Sequence, residues 1–159
     1  MERRGCELAI ANVLRFEQEI KVRLPDDYRR FLLEVNGGRT ANTHCRFTMR
    51  RGEQIGKATL NTLHSLDDQS DDGFDLREQQ LFRRYDYPEN GLRIGYASGW
   101  ALVLILSGPH RGELWILAIQ DPPIEADQRI EWFDRPDAWK VADSFAEFMA
   151  GLRPSDAGA

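Results

Sequence analysis

A single-domain α+β fold is predicted for this chain, from three observations. Apolar stripes at i, i+3, i+4 and i+7 stand near both ends: Tyr28, Phe31, Leu32 and Val35, then Phe145, Phe148, Met149 and Leu152. Between them lie consecutive strand-like runs, of which residues 100–106 are apolar on both faces. The length of 159 residues, with 42% hydrophobic and 30% charged content, suits one globular domain with a core of its own. Helices at both ends around consecutive strands define the α+β class. Residues 1–153 are expected to form the domain and residues 154–159 a flexible tail.

The elements follow in order. Residues 7–19 read as a first helix with Ile10, Val13, Leu14 and Glu17 on one side, and residues 20–24 as a connection. The second helix carries marks at both ends. Pro25 fits its first position, where a missing N–H is not needed. Asp26 and Asp27 suit the positive end of the helix dipole, and Asn36-Gly37-Gly38 tolerates the positive φ of a sharp exit. Residues 44–49 predict a strand with Cys45, Phe47 and Met49 on one face, ended by Gly52, and residues 57–63 a second strand. An acidic loop follows, interrupted by Gly73. Residues 76–85 predict a short helix with Leu81, Phe82 and Tyr85 suitably spaced. Pro88-Glu89-Asn90-Gly91 is a turn.

Leu92, Ile94 and Tyr96 then alternate with more polar residues. After Ser98-Gly99, residues 100–106 predict a strand covered on both sides. Residues 107–112 form a turn, and residues 113–119 a strand that makes an antiparallel hairpin with its predecessor, stopped by Asp121-Pro122-Pro123. Residues 129–133 predict a last strand, with Ile130 and Trp132 on one side. The final helix opens at Asp143 or Ser144, where Ser144 and Glu147 have capping-box spacing. Gly151 weakens its end and Arg153-Pro154 closes it.

No run reaches the length of a membrane-spanning helix. The start, Met1-Glu2-Arg3-Arg4-Gly5-Cys6, lacks the apolar core of a secretory signal, so a cytoplasmic location is expected. Cys6 and Cys45 match no zinc spacing and are expected as unpaired thiols. Net charge is −5, and it is local. Asp67, Asp68, Asp71, Asp72, Asp75 and Glu78 stand against Arg77 alone, so the rest of the chain is balanced.

Catalytic patterns are missing. His44, His64 and His110 are scattered, with no HExxH and no His-x-His. Ser107-Gly108-Pro109 is not a nucleophile elbow, and there is no GxxxxGK loop. The acidic run does not build a calcium loop. With Asp68 first, Asp72 and Gly73 fall at positions five and six, but Ser70, Asp75 and Gln79 occupy positions three, eight and twelve; with Asp67 first, Glu78 ends the loop and the glycine is misplaced. The pairs Arg29/Arg30, Arg50/Arg51 and Arg83/Arg84 are short and lie near acids, which argues against nucleic-acid binding. No cofactor and no metal are expected. Phe31, Phe145, Phe148 and Trp115 read as core. Tyr85, Tyr87 and Trp100 are contact anchors if exposed, since Tyr and Trp favour interface centres.

The segment LPDDYRRFLLEVNGG, Leu24 to Gly38, resembles the N-terminal signature of the SUKH superfamily, which unites the yeast cell-wall-assembly regulator with bacterial immunity proteins. Leu92-Arg93-Ile94-Gly95 and Val141-Ala142-Asp143-Ser144-Phe145-Ala146-Glu147-Phe148-Met149 resemble it too, in the expected order, over about residues 9–152. The resemblance implies a mostly antiparallel sheet with helices packed against it. It also implies a non-catalytic protein whose partner is a toxin domain, in many relatives a nuclease, delivered between competing bacteria. The alternative is a regulatory or scaffold domain with an endogenous protein partner. On the first reading the contact region is Asp67, Asp68, Asp71, Asp72, Asp75 and Glu78, flanked by Tyr85, Tyr87 and Trp100. An acidic surface there would complement a basic nuclease cleft.

Overall fold

The computed structural model describes residues 2–3, 8–39, 45–66, 75–77, 88–118 and 131–154. Among them are three α-helices, α1 (Ile10–Ile20), α2 (Asp26–Glu34) and α3 (Phe145–Gly151). Nine strands form one sheet: β1 (Glu2–Arg3), β2 (Gly38–Arg39), β3 (Cys45–Arg51), β4 (Gln54–Leu63), β5 (Gly91–Ala97), β6 (Trp100–Ile105), β7 (Leu114–Leu117), β8 (Ala138–Ala142) and β9 (Arg153–Pro154). Every pairing between these strands is antiparallel. The order is β1-β2-β4-β5-β6-β7-β8-β3-β9, and β3 also pairs with β4, so the sheet closes on itself like a barrel. The α+β expectation therefore holds.

Strand β6 explains the layering. Leu102 and Leu104 point into the main core with Phe47, Met49 and the helices. Val103 and Ile105 join Trp115, Leu117 and Ala138 in a second apolar cluster on the outer face. All four β6 residues are fully buried, as an apolar run with both faces covered requires. Strand β3 is the contrast: Phe47 and Met49 go in, while Arg46, Thr48 and Arg50 stay out. At the β5–β6 turn, Ser98 (φ 51°) and Gly99 (φ 82°) both take positive φ, the backbone of a two-residue hairpin.

Several expectations need correction. In α1 the inward stripe is Val13, Phe16 and the half-buried Ile20, whereas Ile10 and Leu14 are 51% and 45% exposed. Phe16 turns the helix, because its ring buries more apolar surface than Leu14 does. Pro25 precedes α2 rather than opening it: it has extended backbone, and its carbonyl accepts the Arg29 N–H at 2.9 Å. A bulge between Arg93 and Gly95 breaks the alternation of β5. It turns Tyr96 toward the Arg93 guanidinium, 4.2 Å from the ring centre. The strand expected at residues 129–133 is not found in its described part, where Trp132–Asp134 is a 3-10 turn. The last long strand is β8, whose sequence Ala-Trp-Lys-Val-Ala shows no clean alternation. Pro154 lies in β9, opposite Cys45. The expected helix at residues 76–85 lies outside the described residues beyond Arg77, and residues 155–159 lie wholly outside them.

Candidate functional site

The second helix ties three distant parts of the molecule together, each through a named side chain. At its start, Asp27 accepts the Tyr28 N–H with one oxygen and the Ala146 N–H of α3 with the other, both at 2.8 Å. An aspartate supplied by a neighbouring helix thus serves an orphan donor at the α3 N-terminus. In mid-helix, Tyr28 and Phe31 pack on Phe145 with ring centres 5.0 and 4.9 Å apart. Arg29 pairs with Glu17 of α1 at 3.1 Å, and Glu17 also accepts the Leu24 N–H.

At its end the helix holds the foot of the acidic segment. Asn36 (φ 55°) is fully buried. Its amide donates to the Leu66 carbonyl (3.1 Å) and accepts from the Leu66 N–H (2.8 Å), so it pairs with the backbone as a neighbouring strand would. Gly37 (φ 82°) lies against the same segment, where a Cβ would come within 2.7 Å of the Ser65 nitrogen. Only glycine fits that approach.

The returning leg is fixed to the same place. Asp75 bridges Ser65 in parallel, and the Leu76 N–H donates to the Ser65 carbonyl at 2.7 Å. The Asp75 carboxylate accepts the Arg77 N–H at 2.7 Å. Arg77 in turn pairs with Glu19 at 2.8 Å and lies over the Phe16 ring. Both ends of the run between Leu66 and Asp75 are therefore anchored to α1, α2 and β4.

Sequence-predicted site residues separate accordingly. Asp75 is only 6% exposed, and its carboxylate accepts the Arg77 N–H. Trp100 is half-buried against the main core and opens β6 opposite Ala97. Asp67, Asp68, Asp71, Asp72, Glu78, Tyr85 and Tyr87 lie outside the described residues.

Two polar features were not anticipated. His64 is fully buried beside Tyr96. Burial, reinforced by the nearby Arg93 charge, pushes its pKa down to about 3, so the ring is neutral. On the outer face, Glu113 accepts from Lys140, Trp115 Nε1 and, through the other ring contact, His110, each at 2.8 Å. Burial works against the Glu113 charge, but these three hydrogen bonds outweigh it and hold the carboxyl below its usual range. His110 stacks on Phe133 at 4.0 Å and meets Trp115 edge-on, so the group joins the residue 107–113 turn to the 3-10 turn. In sequence, Glu113 was only the first residue of a strand.

Among the described residues no group of three or more His, Cys, Asp and Glu is arranged to hold a metal ion. Cys45 is half-buried at the start of β3. No described helix is long and apolar enough to cross a membrane. A cavity of about 380 Å³ lies between the α1–α2 connection and the start of β5, lined by Ile20, Val22, Leu92 and Leu106. Its Asn90 amide is engaged by the Ser107 carbonyl at 2.8 Å.

A closed antiparallel sheet with helices packed on its core, and an Asn-Gly pair just after α2 that holds Leu66 and Ser65, define an α+β domain. Residues 8–151 match the SMI1 / KNR4 family (SUKH-1), and the chain belongs to that family. No curated protein and no solved structure matches it.

Proposed function

We propose that this protein is a non-catalytic immunity protein that binds and neutralises a toxin domain, with the acidic run as its contact region. The observation that carries this reading is the double anchoring of that run, at Leu66 by Asn36 and at Asp75 by Ser65. A loop held at both feet loses less conformational freedom on binding than a free one. Its charge, five net negative within twelve residues, complements a basic cleft of the kind that nucleases use for phosphate. Asp67, Asp68, Asp71, Asp72 and Glu78 make the contact, Tyr85 and Tyr87 flank it, and Asp75 is its inner foot. Family membership supports a protein partner and a binding role.

The test is growth rescue. If a neighbouring gene encodes a large exported protein with a variable C-terminal domain, cells producing that domain should survive when the chain is co-produced. Death despite soluble co-production overturns the immunity reading and favours a regulatory domain with an endogenous partner. Reversing charge at Asp67, Asp68, Asp71 and Asp72 should slow association and flatten its salt dependence. An unchanged on-rate removes the run from the interface.

A further inference from the structure

A patch of positive charge occupies the outer face of the β3–β4 hairpin. Register places Thr59, Lys57 and Ile55 of β4 opposite Arg46, Thr48 and Arg50 of β3, and Arg153 of β9 opposite Arg46 on the other edge. Arg46, Arg50, Lys57 and Arg153 are all exposed. Among the described residues none of the four pairs with a carboxylate; Arg153 bonds only the carbonyls of Ala150 and Leu152. Lys140, opposite Arg50, shows what compensation looks like, because Glu113 and Asp143 both engage it.

Like charges directly opposite in a sheet repel, yet Arg46 and Arg153 stand in that relation with no acid between them. Alternate residues of a strand are about 7 Å apart, so Arg46 and Arg50 span about 14 Å with Lys57 between them across the ladder. Ile55, 66% exposed, adds an apolar contact at the hairpin end.

We propose that this face is an interaction surface for an acidic protein segment. Arginine takes carboxylates in bidentate pairs, and the spacing of Arg46 and Arg50 suits an extended chain with acids four positions apart. A single-stranded nucleic acid is the poorer match, since the residues of the face, Arg46, Thr48, Arg50, Ile55, Lys57, Thr59 and Arg153, include no ring on which bases would stack. The face shares no residue with the acidic run, and the proposal stands whether or not that run binds a toxin.

The experiment titrates the isotopically labelled full chain with a decaglutamate peptide and, separately, with a deoxythymidine decamer, at low and at physiological salt. Decaglutamate should shift amides confined to β3, β4 and β9 and bind more tightly than the oligonucleotide. Arg46→Glu/Arg50→Glu should weaken the peptide about tenfold or more, and Lys57→Glu should weaken it independently. The surface control Arg30→Glu, and neutralisation of Asp67, Asp68, Asp71 and Asp72, should not weaken it. Shifts elsewhere, equal loss with Arg30→Glu, undiminished binding by the double variant, or tighter binding of the oligonucleotide would overturn the proposal.

Discussion

At single side chains, three positions carry sharp consequences. Asn36→Ala removes a buried donor and a buried acceptor and strands the Leu66 N–H and carbonyl, so it should cost about 2–4 kcal/mol. A urea midpoint measures that cost, and faster exchange of the Leu66 amide locates it at the foot of the acidic run. Tyr28 is fully buried, and its hydroxyl meets no hydrogen-bond partner among the described residues. Burial pushes its pKa up, so the phenol stays neutral. Tyr28→Phe keeps the ring contacts with Phe31 and Phe145 and removes an unsatisfied polar atom, so stability should rise by about 1 kcal/mol; a loss of that size would count against the packing described. His64 sets a pH dependence. The unfolded chain protonates it near 6.5, whereas the folded chain resists protonation down to about 3. Its contribution is therefore constant above neutrality and becomes destabilising as pH falls through 6.5, by up to about 1.4 kcal/mol per pH unit. Replacing it with Leu should flatten that part of a stability–pH profile.

Among the elements, α1 and α3 show how partners decide what periodicity proposes. Phe16→Ala should cost about 3–5 kcal/mol, the usual loss for an aromatic side chain in a core. Leu14→Ala, on the exposed side of the same helix, should stay within about 0.5 kcal/mol. Thermal melts of the two variants report directly on which stripe faces inward. Helix α3 has only seven residues and two separate N-terminal supports. Ser144 accepts the Glu147 N–H at 3.1 Å, and Glu147 reaches back to the Asp143 N–H at 2.9 Å, the reciprocal pattern displaced by one residue. Asp27 adds the bond to Ala146 from across the core. Ser144→Ala and Asp27→Ala should each cost about 1 kcal/mol, and a double variant that exceeds their sum would show that the two supports act together.

Across the whole molecule, closure of the sheet sets the order of local opening. Strand β6 has a partner on each edge and apolar cover on both faces, whereas β1 and β9 are two-residue strands at the margins. Amides of Leu102 and Leu104 should exchange only with global unfolding, and those of β1 and β9 much faster. Native-state hydrogen exchange measures this, and comparable rates in β6 and β9 would contradict the closed arrangement. Charge is divided as well. Five net negative charges fall within residues 67–78, whereas Arg46, Arg50, Lys57 and Arg153 gather on β3, β4 and β9, so the two proposed contacts call for partners of opposite sign.

Much of the architecture was legible from residue order alone. The signature helix, the doubly covered β6, the β6–β7 hairpin and the α3 cap each show in a pattern that spans a short stretch of residues, where periodicity, turn and capping chemistry are written. The family resemblance lay in the same local patterns. What the residue order did not determine were the long-range bonds. Asn36 read as a turn former and is a clamp thirty positions away. Asp75 read as surface charge and is buried. Glu113 read as a strand end and gathers Lys140, Trp115 and His110. Strand β8 exists because β7 pairs with it, not because its own side chains alternate. A side chain's partner across the core depends on how separate elements dock, and docking is settled by burial of the combined apolar faces, which no short window of sequence contains.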